Sequence, residues 1–320
     1  MGLRPGIVRL FIGVVISVLV LFITCNWFDD IFGQGASARL GEAGKRIYST
    51  IFRSLEPDSR KLPAPRRDHH ITPDTVHRYL SRSLIGSCSL DDLKSRSCYC
   101  SDYTFDKRIQ NDATDSAVVV VSSSEMVVVS FRPTRSDKNK RTNADAALEP
   151  LPGVSSTIKV HNGFLSHYQS IQTELEELIP ALLRNNDKTL HITGYSLGGA
   201  TALVSLNSVI RTLKQHNLNN PVQVFSYASP RVGNGEFADY IESLNVPVVR
   251  YTIHNDVVSL MPPRLVKYVH AGAEYFFNQT LHKCRLDYDE DPNCAFKADS
   301  IALQEHTFPN NQEIPSPIFC

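Results

Sequence analysis

The chain of 320 residues carries no net charge, because 33 basic residues are matched by 33 acidic ones. Without an excess of either sign there is no long-range field to gather a polyanion, so nucleic acid is excluded as a partner. No internal repeat is present, which excludes solenoids and propellers. Cysteine occurs seven times but never as two close pairs. Cys98-Tyr99-Cys100 has no second pair at ligand spacing, so a structural zinc is excluded, and no other metal or organic cofactor is implied.

Charge is missing altogether from residues 10–24, which form an apolar run. Arg4 and Arg9 precede it and Asp29 and Asp30 follow it. Counted from Ile7 to Phe28, with Arg9 snorkelling, the segment is long enough to cross a bilayer, and its flanks orient the body to the lumenal or extracellular side. Residues 1–30 are therefore expected to be a signal anchor in the secretory pathway. The competing reading is a signal peptide cleaved at Ala36-Ser37-Ala38, giving a secreted protein, although that site lies well beyond the apolar run.

Six cysteines remain when Cys25, at the end of the apolar run, is set aside, and an even set suits an oxidising compartment. Six allow 15 pairings. Cys284 and Cys294 bracket a polar loop and are natural partners, and Asn278-Gln279-Thr280 is the only N-glycosylation sequon.

Residues 31–71, punctuated by Pro63 and Pro65 and by the basic pair Arg66-Arg67, read as a flexible stem. The folded body is expected over 72–320, opening where Thr72 caps a helix whose first turn contains Pro73. Two β-branched runs, 117–121 and 126–131, separated by Ser122-Ser123-Ser124-Glu125, predict a hairpin. Residues 171–183 have apolar positions at helical spacing, and 222–227 and 248–253 read as buried strands. Strands alternating with helices predict an α/β class with a mostly parallel central sheet and a site at the carboxyl ends of its strands.

The segment Thr189-Leu190-His191-Ile192-Thr193-Gly194-Tyr195-Ser196-Leu197-Gly198-Gly199-Ala200 is a β-type run that breaks at Gly194 and restarts as a helix. A strand turning sharply into a helix lifts the residue at the corner out of the sheet, so Ser196 is the candidate nucleophile of an elbow. The helix N-terminus beside it would stabilise an anion. A serine hydroxyl needs a histidine base, and that base needs an orienting carboxylate. Asp256, just after the strand ending at Ile253, is the best acid. His270, His282 and His306 all lie downstream, and their local sequence scarcely separates them.

Five blocks settle the choice by resemblance: Ser130-Phe131-Arg132-Pro133-Thr134, Lys159-Val160-His161-Asn162-Gly163-Phe164, Thr193 through Ala202, Ser229-Pro230-Arg231-Val232-Gly233-Asn234, and Asn255-Asp256-Val257-Val258 through Pro262-Pro263. In this order they resemble the class 3 lipases, the fungal triacylglycerol lipase type of α/β-hydrolase, over roughly the whole body. The resemblance implies Ser196, Asp256 and His306 as the triad, His270 as structural, and Thr134 with Leu197 as oxyanion donors. It also implies disulfides Cys88–Cys320, Cys284–Cys294 and Cys98–Cys100. The chain departs from the family at Tyr195, where a histidine is usual, and at Pro133, where a glycine is usual. Its expected lid, residues 135–148, lacks apolar anchors.

The resemblance thus implies a hydrolase of lipid carboxylic esters (triacylglycerol, diacylglycerol or phospholipid), working through an acyl-enzyme. A feruloyl-type or short-chain esterase is the alternative suggested by the polar lid. A catalytically impaired lipid-binding protein is the alternative suggested by Tyr195 and Pro133.

Overall fold

The computed structural model describes residues 57–95, 102–295 and 306. The signal anchor and cleavage site, Cys98, Cys100, Cys320 and the first part of the stem lie outside the described residues. Among the described residues no helix is long and apolar enough to cross a membrane.

The body opens with α1 (Pro73–Tyr79), whose start is capped as expected, the Thr75 N–H donating to Thr72 Oγ1 at 3.2 Å. A 3-10 turn, Ser81–Ser87, and α2 (Leu90–Ser95) follow. Three antiparallel neighbours come next, β1 (Thr104–Asn111), β2 (Ser116–Ser122) and β3 (Met126–Phe131). The predicted hairpin is β2–β3. In both strands the consecutive valines are buried, so both faces of the sheet here are covered.

After β3 the chain forms α3 (Asp137–Ala144), a small ribbon of β4 (Leu148–Pro150) and β5 (Lys159–His161), and the long α4 (Asn162–Leu183). Sequence spacing predicted only the second half of α4. The helix starts earlier because His161 caps it, its Nδ1 accepting from the Phe164 N–H at 3.4 Å. The remaining order is β6 (Thr189–Tyr195), α5 (Leu197–Gln215), β7 (Val222–Tyr227), α6 (Gly235–Ser243), β8 (Val248–Ile253), β9 (Ala273–Asn278) and β10 (Thr280–Lys283).

The main sheet has the order β1-β2-β3-β6-β7-β8-β9-β10. Its centre, β3-β6-β7-β8-β9, is parallel throughout, and antiparallel strands close both edges. Helices α4 and α5 bury Leu175, Ile179, Ala202, Leu206 and Val209 against one face. On the other face Val76 and Leu80 pack on Phe225, Tyr227, Tyr251 and Tyr275. The parallel block directs the carboxyl ends of β3, β6 and β8 to one edge, where the loops bearing Thr134, Ser196 and Asp256 emerge.

One boundary is corrected. Residues 57–71, read as part of a flexible stem, are built into the body. Lys61 bridges Tyr288, the Leu62 N–H donates to the Asp287 carbonyl at 2.8 Å, and the Arg66 N–H donates to that of Leu286 at 2.8 Å. The Arg66 guanidinium is buried and donates to the carbonyls of His270 and Asp289, each at 2.9 Å, and of Gly272. The prolines that suggested a linker hold an extended strip in which Ser59, Arg60, Leu62 and Arg66 find hydrogen-bond partners in residues 270–290, a pairing too distant in sequence to be read there.

That strip closes over a buried ionic cluster. Arg231 donates to both carboxylate oxygens of Glu290 at 2.8 Å, Arg264 pairs with Asp289 at 2.9 Å, and Arg250 pairs with Glu274 at 2.9 Å. Burial alone would push the Glu290 carboxyl up, but the Arg231 guanidinium, with Arg250, holds it well below the usual carboxylate range. Arg231 also donates to the carbonyls of Leu260 and of Pro262, the latter at 3.0 Å, bracing the loop that follows Asp256. Arg231→Met would leave Glu290 charged and buried. The expected cost is about 3–5 kcal/mol, a fall in Tm of roughly 6–20 °C in a thermal melt. A fall of under 2 °C would show that the pair is dispensable.

Candidate active site

At the end of β6 the backbone of Ser196 adopts φ 54° and ψ −122°, a left-handed geometry that a residue with a Cβ rarely holds. The turn closes because Gly194 and Gly198 pack backbone to backbone. A Cβ on Gly194 would come within 2.7 Å of the Gly199 nitrogen, and one on Gly198 within 2.9 Å of the Phe131 carbonyl carbon. The Ser196 N–H donates to the Tyr227 carbonyl at 2.8 Å, tying the corner to β7. The elbow read from the sequence is therefore present, with α5 beginning directly after the serine.

Ser196 Oγ lies 2.8 Å from His306 Nε2, and His306 Nδ1 lies 3.0 and 3.1 Å from the two carboxylate oxygens of Asp256. With a carboxylate on the Nδ1 side, the imidazole carries its proton there and Nε2 accepts from the serine hydroxyl. Asp256 is only 2% exposed. It is fixed locally as well, accepting from the Val258 N–H at 2.9 Å and the Ser259 hydroxyl at 3.1 Å. An acceptor within hydrogen-bond reach of the serine, oriented by a buried carboxylate, is an arrangement able to take the hydroxyl proton as the oxygen attacks a carbonyl.

Of the three histidines left open by local sequence, His306 is the one in this chain of hydrogen bonds. His270 is buried behind the Asp256 loop, its Nε2 donating to the Ser259 carbonyl at 2.7 Å. His282 stands beside the disulfide between Cys284 and Cys294, which forms as expected with Cα atoms 6.3 Å apart. Those three side chains gather within ligand distance of one another, but the sulfurs are already bonded to each other, so no thiolate is offered to a cation. Cys88 is also disulfide-bonded, and its partner lies outside the described residues.

For the oxyanion donors, Leu197 is the first residue of α5, where N–H groups have no intrahelical acceptor. Thr134 follows β3, and the close approach of Gly198 to Phe131 and Arg132 brings that loop against the elbow. Arg132 is buried with its guanidinium 2.5 Å from Asp115 Oδ1, and behind β3 the Gly86 N–H donates to Ser130 Oγ at 2.9 Å.

Sequence reasoning missed Asn143. From the last turn of α3 its Nδ2 donates to Thr134 Oγ1 at 3.0 Å, which leaves the hydroxyl hydrogen free to point at a substrate oxygen. It also missed how α3 is held. Asn139 is buried and donates to the carbonyls of Thr114 and Asp115 at 3.3 and 3.0 Å, while its Oδ1 accepts from the Arg135 N–H at 3.0 Å. At the far end Tyr268 donates to the Ala146 carbonyl at 3.0 Å, and Asn162 Nδ2 to Asp145 at 2.6 Å. The expected lid region is thus a short polar helix pinned at both ends by side chains. An apolar stripe was the signal sought, and buried amides give none.

Residues 128–266 match the family described as lipase (class 3). A lipase from Rhizomucor miehei is 31% identical over 183 residues, covering 55% of this chain and 49% of that protein. Secreted mono- and diacylglycerol lipase 1 from Fusarium solani is 29% identical over 153 residues, 48% of this chain and 44% of that protein. The chain thus spans about half the length of these curated relatives. Among solved structures, a triacylglycerol lipase whose catalytic centre is formed by a serine protease triad superposes with a TM-score of 0.65 at 25% identity, over 73% of this chain and 92% of that one. Its α/β-hydrolase fold, with a mostly parallel central sheet, is the fold found here. The sequence match runs from β3 through the elbow to the loop beyond Asp256, and over this stretch the chain is similar to the class 3 lipases.

Proposed function

We propose that this protein is a serine hydrolase of lipid carboxylic esters, and that the hydrogen-bonded chain Ser196–His306–Asp256 is its catalytic triad. In this mechanism Ser196 Oγ attacks the acyl carbonyl as His306 Nε2 removes its proton. Asp256 holds the Nδ1 tautomer and stabilises the imidazolium. The Leu197 N–H and Thr134 receive the oxyanion. His306 then protonates the departing alkoxide, and water, deprotonated by the same imidazole, releases the fatty acid from the acyl-enzyme. Triacylglycerol, diacylglycerol and phospholipid all offer the required bond.

Thr134 and Asn143 give a direct check. Thr134→Val removes the hydroxyl but keeps the N–H, and is expected to lower kcat on the order of 10²-fold with KM little changed. Asn143→Ala is expected to lower kcat less, by about fivefold, and to add nothing to Thr134→Val. Strict additivity of the two would separate Asn143 from the oxyanion site.

The pinned, polar α3 favours a second reading, a short-chain or feruloyl-type esterase. An interfacial lid exchanges an apolar face between protein and lipid, and α3 buries an amide in its place. A chain-length series of nitrophenyl esters, with and without micelles, decides between the two. Turnover that rises with chain length and with aggregation supports the lipid substrate. Preference for short soluble esters with no response to micelles rejects it.

For location, the reading is a single-pass anchor over residues 1–30 with the catalytic body in the lumen or outside the cell, or a secreted body if the segment is removed. The disulfide Cys284–Cys294 suits that compartment. Asn278, exposed at the turn between β9 and β10, is open to a glycosyltransferase.

A further inference from the structure

Tyr195 is the elbow residue that departs from the family resemblance, and its side chain has a use in this structure. Its ring is buried among Phe225, Tyr227 and Tyr251 beneath the site. Its hydroxyl donates to the main-chain carbonyl of His306 at 2.7 Å, and the two rings lie 5.6 Å apart, tilted by 40°. Two contacts at the imidazole, with Ser196 and Asp256, set the plane and direction of the ring. A contact at the carbonyl of the same residue sets the backbone from which that ring hangs.

We infer that Tyr195 is a positioning residue for the base, bracing the backbone of His306 so that Nε2 stays in line with the nucleophile next to it in the chain. This role rests on the hydrolase reading above. The geometry makes the brace direct, because Tyr195 and Ser196 are consecutive: one end of β6 carries both the attacking oxygen and the support of the group that deprotonates it. Strand β6 is itself fixed, with Tyr195 in register with Tyr227 of β7. Burial, then the nearby Asp256 charge, pushes the phenol well above its ordinary pKa, so the hydroxyl remains a donor at every pH at which the protein folds. A histidine at 195 would have a shorter reach and a donor that depends on tautomer.

The test is Tyr195→Phe, which keeps the ring and its packing and removes only the donor. Small displacements of a reacting group are costly in rate. The expected result is a fall in kcat of about tenfold with KM within about twofold and an unchanged Tm. The same substitution in a His306→Ala background should cause no further loss in the residual rate, because the brace acts only through that imidazole. In a Thr134→Val background the loss should persist in full. Wild-type kcat in Tyr195→Phe overturns the inference, and so does an equal loss in the His306→Ala background, which would mark a general packing role. Those outcomes leave the hydrolase reading standing, whereas a wild-type protein that turns over no ester in the panel removes that reading and the brace with it.

Discussion

Ser196→Ala is expected to abolish ester turnover, lowering kcat by about 10⁵- to 10⁶-fold, and to abolish labelling by a serine-reactive fluorophosphonate while leaving the fold intact. The expectation follows from the geometry. The serine oxygen sits 2.8 Å from an imidazole whose other nitrogen is held at 3.0 Å by a buried carboxylate, so one group activates it and no second nucleophile is aligned with that imidazole among the described residues. His306→Ala should match the serine variant, and the double variant should be no worse than either, since the groups act as one unit. Any residual turnover is expected from the proposed oxyanion donors, Thr134 and Leu197, which these changes leave in place. Stability should not fall. If the wild-type protein failed to react with the fluorophosphonate, the triad would be a relic, and a lipid-binding role without catalysis would replace the enzymatic one.

The second large effect concerns acid. Four histidines are buried and neutral in the fold. Burial holds His161 down to about 3 and His167 to about 4, and keeps His191 and His270 well below the usual value of 6.5. In the unfolded chain each titrates near 6.5, so between that pH and the folded value the unfolded state binds more protons. Each imidazole therefore stabilises the fold fully above pH 6.5, and that stability is lost as pH falls from 6.5 towards 4. A proton difference of one amounts to about 1.4 kcal/mol per pH unit, so His161 and His167 alone remove roughly 4 kcal/mol by pH 5, a large share of the 5–15 kcal/mol of an ordinary domain, and His191 and His270 act in the same direction. Depressed carboxylates such as Glu290 give up their share only below about 4.5, at lower pH. Unfolding is expected between about pH 5.5 and 4, with denaturant midpoints already falling from pH 6.5. His167, whose ring nitrogens have no hydrogen-bond partner among the described residues, offers the clearest single check. His167→Gln should flatten the slope by about one proton. A Tm that stays level from pH 7 to 5 would contradict the whole account.

Local physics made the elbow legible. Gly194, Ser196 and Gly198 lie within five residues, and a strand-to-helix corner imposes the same steric demand wherever it occurs. Asp256 was legible only in part: a carboxylate just past a buried strand emerges at the sheet's carboxyl edge, but a loop-capping Asp would occupy the same place, and the family resemblance completed the choice. Its partner Ser259, three residues on, was readable from spacing but was not sought. The base was not legible from residues alone. His270, His282 and His306 differ in what the tertiary fold brings to them, and only the family resemblance chose the histidine that the structure places on Ser196.

The misses share one cause. Arg66 finds its carbonyl acceptors more than 200 residues away, and Tyr195 finds His306 at a separation of 111. Hydrogen bonds between segments so far apart leave no periodicity for a sequence to display. Composition pointed the wrong way for Arg66, since a proline-rich basic strip is equally suited to solvent. Asn139 and Asn143 on α3 were passed over for a related reason: a polar helix reads as a surface helix until its amides are seen turned inward.

The left-handed backbone at Ser196 bears on why a serine occupies that corner at all. A conformation with φ 54° and ψ −122° is one that glycine enters freely and that costs a serine on the order of 1–3 kcal/mol. The scaffold on its own would be more at ease with glycine there and would fold no worse. A protein that served only as a binding surface would gain stability from that replacement and lose nothing. This chain instead keeps a hydroxyl in a strained place, 2.8 Å from an imidazole, an expense of stability that the proposed nucleophile role accounts for.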